Sequence, residues 1–204
     1  MDLALADLPK IERYKLLIGL VIPRPIAWIS TRSENGVANC APFSFFNVIG
    51  EDPPLCIVSF NRRSDDAMKH TVRNIRRTGE FVVNLAEEGT ANAMHVTGDE
   101  FPEEESEFAA AGLSEAPAKL VKHPRIAEAA ASLECRVERR INWGEARELV
   151  IGEILMVHAR DGIIDPQSKR ISETAYRPIG RLFANRYCTT RQRFDLPGAL
   201  PGAE

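Results

Sequence analysis

The sequence predicts a mainly β protein, an antiparallel meander or barrel with helices flanking it. Three observations carry this. Between Ile26 and Phe60, short segments rich in β-branched and aromatic residues follow one another, separated by tight turn signals. Two longer segments further on, Leu133–Ile141 and Leu149–His158, continue the strand pattern, the first with clear alternation. Helical periodicity is confined to short stretches between these.

Pro9 to Leu20 reads as a short helix, with Ile11, Leu16, Leu17 and Leu20 among its apolar positions. Pro23-Arg24-Pro25 stops it and forces an extended entry into the strand Ile26–Thr31. Glu34-Asn35-Gly36 is a hairpin turn, since Asn and Gly tolerate positive φ, and Val37–Ala41 returns antiparallel. The stretch Asn39–Phe60 holds two more predicted strands, Phe43–Ile49 and Leu55–Phe60. Pro53 and Pro54 have no N–H to donate, so Gly50–Pro54 is the connector.

Ser64 to Arg77 is the clearest helix. Ser64 or Asp65 caps it, Met68, Val72 and Ile75 mark its buried face, and Gly79 closes it. Arg76 and Arg77 compensate the dipole at its C-terminal end. Lys69 lies in the first half, where a cation needs another reason, and with Arg62 and Arg63 it suits either solvent or a phosphate. Phe81–Leu85 is a strand and Gly89–Val96 is helical. Thr97–Phe108 is an acidic, exposed excursion. Pro117–Leu120 is expected as a short strand, Pro124–Ala131 as a helical turn and Glu145–Arg147 as a chain reversal. Gly152, inside the last long strand, signals a bulge or the close approach of another group. The arginines of Tyr176–Tyr187 outnumber what a short helix cap requires, and Leu196–Gly202 should be irregular.

The chain has 204 residues, 44% hydrophobic and 27% charged, ordinary values for a globular protein with a substantial core. A net charge of −3 argues against nucleic acid as the main partner. No apolar run approaches the roughly 20 residues of a membrane span, and the acidic start lacks the features of a signal peptide, so a cytoplasmic protein is expected. Cys40, Cys56, Cys135 and Cys188 form no CxxC pair and read as free thiols. His70, His95, His123 and His158 show no ligand spacing, which argues against a metal site.

Ser44 and Asn47 interrupt a strand otherwise made of phenylalanines. Such a pattern suits either a core strand with backbone-bonded polar groups or a flat ligand, apolar on its faces and polar at its edge. The ordered segments around it point one way. Pro23–Thr31, then Asn39-Cys40-Ala41-Pro42-Phe43-Ser44-Phe45-Phe46-Asn47 and Asp52-Pro53-Pro54, resemble the flavin reductase-like family. These are FMN-binding split-barrel proteins that include flavoredoxins and the reductase components of two-component monooxygenases. Lys69–Ile75, Gly79–Leu85, Ala131–Cys135 and Val150–Ile154 continue the resemblance in order. Tyr176–Leu182 with Tyr187 is similar to the flavoredoxin branch, and the likeness runs from about Leu16 to Thr190.

The resemblance implies a single domain built on a six-stranded antiparallel, Greek-key-like barrel, a homodimer, and FMN bound near the subunit interface. It implies that Ser30, Thr31 and Ala41, Pro42, Phe43, Ser44 and Asn47 surround the isoalloxazine, with Trp28 either stacked near the ring or in the core. Ser59, Phe60, Asn61, Arg63, Lys69 and Thr71 would hold the ribityl chain and phosphate. Three positions depart from the family pattern: His70 for an Asp, Phe183-Ala184 for Gly-Gly, and Arg147 for a His that precedes a strand. The implied activity is hydride transfer from NADH or NADPH through the flavin to an acceptor, which includes a monooxygenase or another protein. The second implied role is an FMN electron carrier with little NAD(P)H activity of its own. Arg147 either weakens nicotinamide use or binds a nicotinamide phosphate.

Overall fold

The computed structural model describes residues 1–144 and 147–196. Helix α1 (Lys10–Leu20) leads into β1 (Ala27–Arg32) and β2 (Ala38–Phe43), which reverse through Gly36 at φ +83°. β3 (Phe46–Glu51) and β4 (Pro54–Asn61) form the next hairpin. Then come α2 (His70–Thr78), β5 (Glu80–Leu85), α3 (Ala91–Val96) and α4 (Glu107–Ala110). Two-residue strands β6 (Glu115–Ala116) and β7 (Arg125–Ile126) pair with each other. β8 (Ala131–Trp143) and β9 (Arg147–Ala159) are the long hairpin, and β10 (Ile179–Arg181) with β11 (Tyr187–Thr189) closes the described chain.

Seven strands make one antiparallel sheet in the order β2-β1-β5-β8-β9-β4-β3. Its two outer members, β2 and β3, are consecutive in the chain with only Ser44 and Phe45 between them. The sheet therefore rolls into a barrel that leaves little open edge. The resemblance implies six strands; the seventh arises because the polypeptide bends at Ser44-Phe45 and counts once on each side.

The barrel interior is filled by Ile29, Phe43, Phe46, Cys56, Val58, Phe60, Phe81, Cys135 and Val150, with Val72 and Ile75 of α2 plugging it. The rings of Phe43 and Phe60 meet edge to face at 4.7 Å. β1 is buried on both faces. Ala27 and Ile29 point into the barrel, while Trp28 points outward into a second core with Cys40, Met94, Phe108, Ile126 and Ile179. Gly152 is required by close approach: a Cβ there would lie 2.5 Å from Cζ of Phe81, itself fully buried.

Several boundaries differ from the sequence expectation, each for a local reason. The strand expected from Phe43 starts at Phe46, because β2 runs on through Pro42 to Phe43. Pro42 is tolerated there because β2 is an outer strand of the order. Phe45 then turns its carbonyl to the N–H of Ser59 (2.8 Å). The helix expected from Ser64 begins at His70. Ser64 spends its N–H and hydroxyl on Glu100 (2.9 and 2.6 Å), and Asp65 accepts the N–H of Ala67, so the capping residues cap a loop instead. Gly79 does end α2, in the left-handed conformation, donating to Ile75 O.

The excursion expected to be exposed over Thr97–Phe108 is anchored at its end, where Glu107 and Phe108 of α4 are buried. Pro117–Leu120 is not a strand; the backbone N–H groups of Lys119, Leu120 and Val121 instead wrap the fully buried carboxylate of Glu134. The helical turn expected at Pro124–Ala131 is β7 followed by the start of β8. Arg147 opens β9. Glu145, Ala146 and the tail from residue 197 lie outside the described residues. Among the described residues no helix is long and apolar enough to cross a membrane.

Candidate functional site

A large cavity, about 410 Å³, opens where the β2–β3 bend meets β4, the start of α2, the end of α3 and the β10–β11 hairpin. Six residues singled out in the sequence line it: Pro42, Phe43, Ser44, Ser59, Asn61 and Lys69. Pro42, Phe43 and Phe45 with Ile18, Ile26 and Met94 give it apolar surface, while Ser44, Ser59 and Asn61 place hydroxyl and amide groups among them. Asn61, Lys69 and Arg147 also line an adjoining cavity of about 180 Å³, shared with Phe60, Met68, Arg76 and Glu148.

The electrostatics are one-sided. Arg24, Lys69, Arg147 and Arg181 reach the large cavity against one carboxylate, that of Asp99. None of these four cations has an ion-pair partner within 4.0 Å among the described residues. Lys69 stands at the N-cap of α2, beside N–H groups that the helix leaves unpaired. Its ammonium makes no hydrogen bond among the described residues. Burial holds its pKa below the ordinary lysine value, with Glu100 opposing and Arg63 adding to the effect. Neighbouring His70 is likewise held below the ordinary histidine value, first by burial and then by Arg73 and Arg63, and its Nε2 lies 3.3 Å from Arg63 Nη1. Arg147 is stacked 4.9 Å from the centroid of Phe45 and donates to Ser59 Oγ at 3.4 Å.

Arg24 is a structural pin as well as a wall of the cavity. It is 7% exposed and donates to the carbonyls of Ile18, Val21 and Leu182 (2.6, 2.8 and 2.6 Å) and to Ser44 Oγ (3.4 Å). It thereby ties the end of α1 to the C-terminal hairpin, and burial lowers its pKa. On the far wall, Arg181 lies 4.7 Å over the ring of Tyr187 and donates to its hydroxyl, which is 3.3 Å from Nδ1 of His95.

The other predicted residues lie elsewhere. Trp28 is fully buried and donates its indole N–H to Thr97 Oγ1 (2.9 Å), so it occupies the core position of its two expected places. Ser30 donates to Pro124 O and accepts from Asn84. Thr31 and Thr71 both hydrogen-bond Asn39 Oδ1 (3.2 and 2.9 Å), while Asn39 donates to Glu107 (2.6 Å), whose pKa burial raises. These three hydroxyls are consumed by internal networks. Ala41 packs against the barrel core, Asn47 is exposed and accepts its neighbour's N–H, and Phe60 is 2% exposed and lines only the smaller cavity. Arg63 bonds Phe101 O and faces Glu100 and Asp65.

Sequence reading did not single out Arg24, Phe45, His95, Arg181 or Tyr187 as site residues. The surplus of arginines near Tyr187 is the signal that points to the far wall.

Comparison with known proteins agrees with this architecture. The family described as "Flavin reductase like domain" matches residues 19–180. An uncharacterized protein of Aquifex aeolicus is 44% identical over 174 residues, 85% of this chain and 88% of its own. Among solved structures, Pseudomonas fluorescens 2-nitrobenzoate 2-nitroreductase superimposes with a TM-score of 0.89 at 34% identity, covering 100% of both chains. Nitrilotriacetate monooxygenase component B from Bacillus cereus gives 0.90 at 32% identity, over 96% of this chain and 98% of that one. Flavoredoxin of Desulfovibrio vulgaris, at 20% identity and a TM-score of 0.76 over 87% of this chain and 92% of its own, shares the fold. With a family match across most of its length and the split-barrel topology, this chain belongs to the flavin reductase-like family.

Proposed function

We propose that the large cavity holds FMN and that the protein is an FMN-dependent oxidoreductase, taking a hydride from NADH or NADPH and passing electrons to an acceptor. One observation carries this reading. Lys69, a partly buried cation with no partner among the described residues, stands at a helix N-terminus beside a strip of phenylalanine and hydroxyl side chains. The residues fit the group. Phe43, Phe45 and Pro42 offer flat apolar surface, Ser44, Ser59 and Asn61 offer donors for a polar edge and a polyol chain, and Lys69 with the first N–H groups of α2 suits the phosphate. Ser30, Thr31 and Thr71 serve the site at one remove by fixing β1, β2 and α2 through Asn39 and Asn84.

Bound FMN supplies the electron chemistry at its N5; the protein's side chains bind it, orient it and keep one flank open to a donor. No acid–base pair is required of them. The acceptor is a free flavin, a metal complex or a partner protein, in line with the monooxygenase component B among the similar structures. A flavoredoxin-like carrier is the second reading, favoured by Arg147 at the position where the resemblance expects His. Exposed Leu17, Leu20, Val48 and Ile49 support assembly as a homodimer of single-domain subunits.

The test is the visible spectrum of desalted protein reconstituted with FMN, before and after anaerobic NADH or NADPH. Retained flavin bands that bleach support the reductase. Bands that persist with both donors favour the carrier, and loss of all flavin on desalting together with no binding in a titration refutes the FMN site. Lys69→Met combined with Ser44→Ala should weaken FMN binding at least about tenfold, the size of one lost charge-assisted contact. Unchanged affinity would place the phosphate elsewhere.

A further inference from the structure

We propose that the wall of the cavity formed by Arg181, Tyr187 and His95 is a carboxylate-binding subsite that admits a small aromatic acid as a second ligand. The inference rests on the FMN reading for what fills the rest of the cavity, but the subsite itself is defined by side chains on the β10–β11 hairpin and α3.

The hairpin pairs Arg181 directly with Tyr187. Stacking at 4.7 Å and the bond from Nη1 to the Tyr187 hydroxyl fix the guanidinium plane. The same hydroxyl lies 3.3 Å from His95 Nδ1, so the ring of Tyr187 is held between the arginine and α3. The backbone of Arg181 is locked in turn by reciprocal bonds with Arg24, at 2.9 and 2.8 Å. What remains of Arg181 is a fixed fork. Its Nε and Nη2 donors have no hydrogen-bond partner among the described residues, and two parallel N–H groups in a plane match a carboxylate.

Charge argues in the same direction. Four cations face the cavity against the single carboxylate of Asp99. A phosphate of about −2 charge at the Lys69 end neutralises the cations nearest to it and leaves the Arg181 end positive. Arg24 adds to that excess but offers no free fork to an anion, since Ile18, Val21, Leu182 and Ser44 engage its donors. Ile26, Met94 and the Tyr187 ring, which line the cavity with the fork, favour a flat apolar body behind the anionic group.

The experiment is a titration of FMN-loaded protein with benzoate, read by the flavin difference spectrum and by calorimetry, beside benzamide and inorganic pyrophosphate. The expected result is saturable benzoate binding, with benzamide at least tenfold weaker. Arg181→Gln should lose benzoate affinity tenfold or more, Arg181→Lys should recover part of it, and FMN affinity should stay within twofold in both. Thermal unfolding of the two variants confirms that they are folded. Equal binding of benzoate and benzamide, or no effect of Arg181→Gln, overturns the proposal. So does pyrophosphate binding more tightly than benzoate through Arg181, which would make the fork a seat for a dinucleotide. If the protein does not take up FMN, the same calorimetric titration on the flavin-free chain still decides the subsite, so the two proposals fail separately.

Discussion

His123 should impose a measurable acid limb on stability. It is 2% exposed, in the segment joining β6 to β7. Its Nδ1 accepts the Arg32 N–H at 2.9 Å, and its Nε2 lies 2.9 Å from the Thr78 hydroxyl. One ring thus pins this segment to the end of β1 and the end of α2, and only the neutral tautomer with hydrogen on Nε2 serves both contacts. Burial, reinforced by Arg77 and Arg32 and opposed by Glu80, lowers its pKa from the ordinary 6.5 to about 4. The sign follows from linkage. Between pH 6.5 and 4 the unfolded chain takes up a proton that the folded chain refuses, so the stability present above pH 6.5 is lost as pH falls towards 4. The loss amounts to about 2 kcal/mol by pH 5 and about 3 kcal/mol once both states are protonated. Other groups titrate in this range too, Glu107 among them with the opposite sign, so the comparison must be differential. His123→Gln keeps an acceptor and a donor without a titrating proton. Urea unfolding from pH 7.5 to 4.5 should show wild type losing about 2.5 kcal/mol more than this variant. Parallel curves would refute the assignment.

Two further perturbations test the packing. Gly152→Ala would set a methyl group 2.5 Å from the Phe81 ring, so urea unfolding should show a loss of about 1–3 kcal/mol, and Phe81→Leu in the same chain should recover part of it. Full additivity of the two changes would mean that they do not meet. Cys40, Cys56 and Cys135 are fully buried whereas Cys188 is partly exposed, so an aromatic disulfide reagent should label one thiol quickly and the other three only on unfolding. Rapid labelling of two or more would mean that the barrel opens readily.

The strands were legible because their signals are local. Alternation, β-branched runs and the Asn35-Gly36 and Pro53-Pro54 turns act over a few residues, and β1, β4, β5, β8 and β9 follow them closely. Boundaries failed where a distant partner decided them. Ser64 carries every mark of a helix cap, yet Glu100, 36 residues on, claims it and α2 starts six residues later. The site divides the same way. Pro42, Phe43, Ser44, Ser59, Asn61 and Lys69 come from one contiguous part of the chain and could be found there. Thr31 and Thr71 have the right chemistry for a ligand, but Asn39 takes them, and sequence does not reveal which acceptor a buried hydroxyl chooses. Arg181 and Tyr187 reach the cavity from the far end of the chain, visible beforehand as an excess of arginine within a flavoredoxin-like segment but not as site residues.

Helix α1 is wetted by the cavity on one side and bare on another. Tyr14 and Ile18 line the pocket, while Leu17 and Leu20, 47% and 76% exposed, turn away from it. Were a ligand that steadies Tyr14 and Ile18 to change how readily Leu17 and Leu20 accept a neighbour, thermodynamic reciprocity would make that neighbour alter the ligand's affinity by the same factor. Occupancy of the pocket and association through this face would then be two readings of one equilibrium, and apparent ligand affinity would depend on protein concentration.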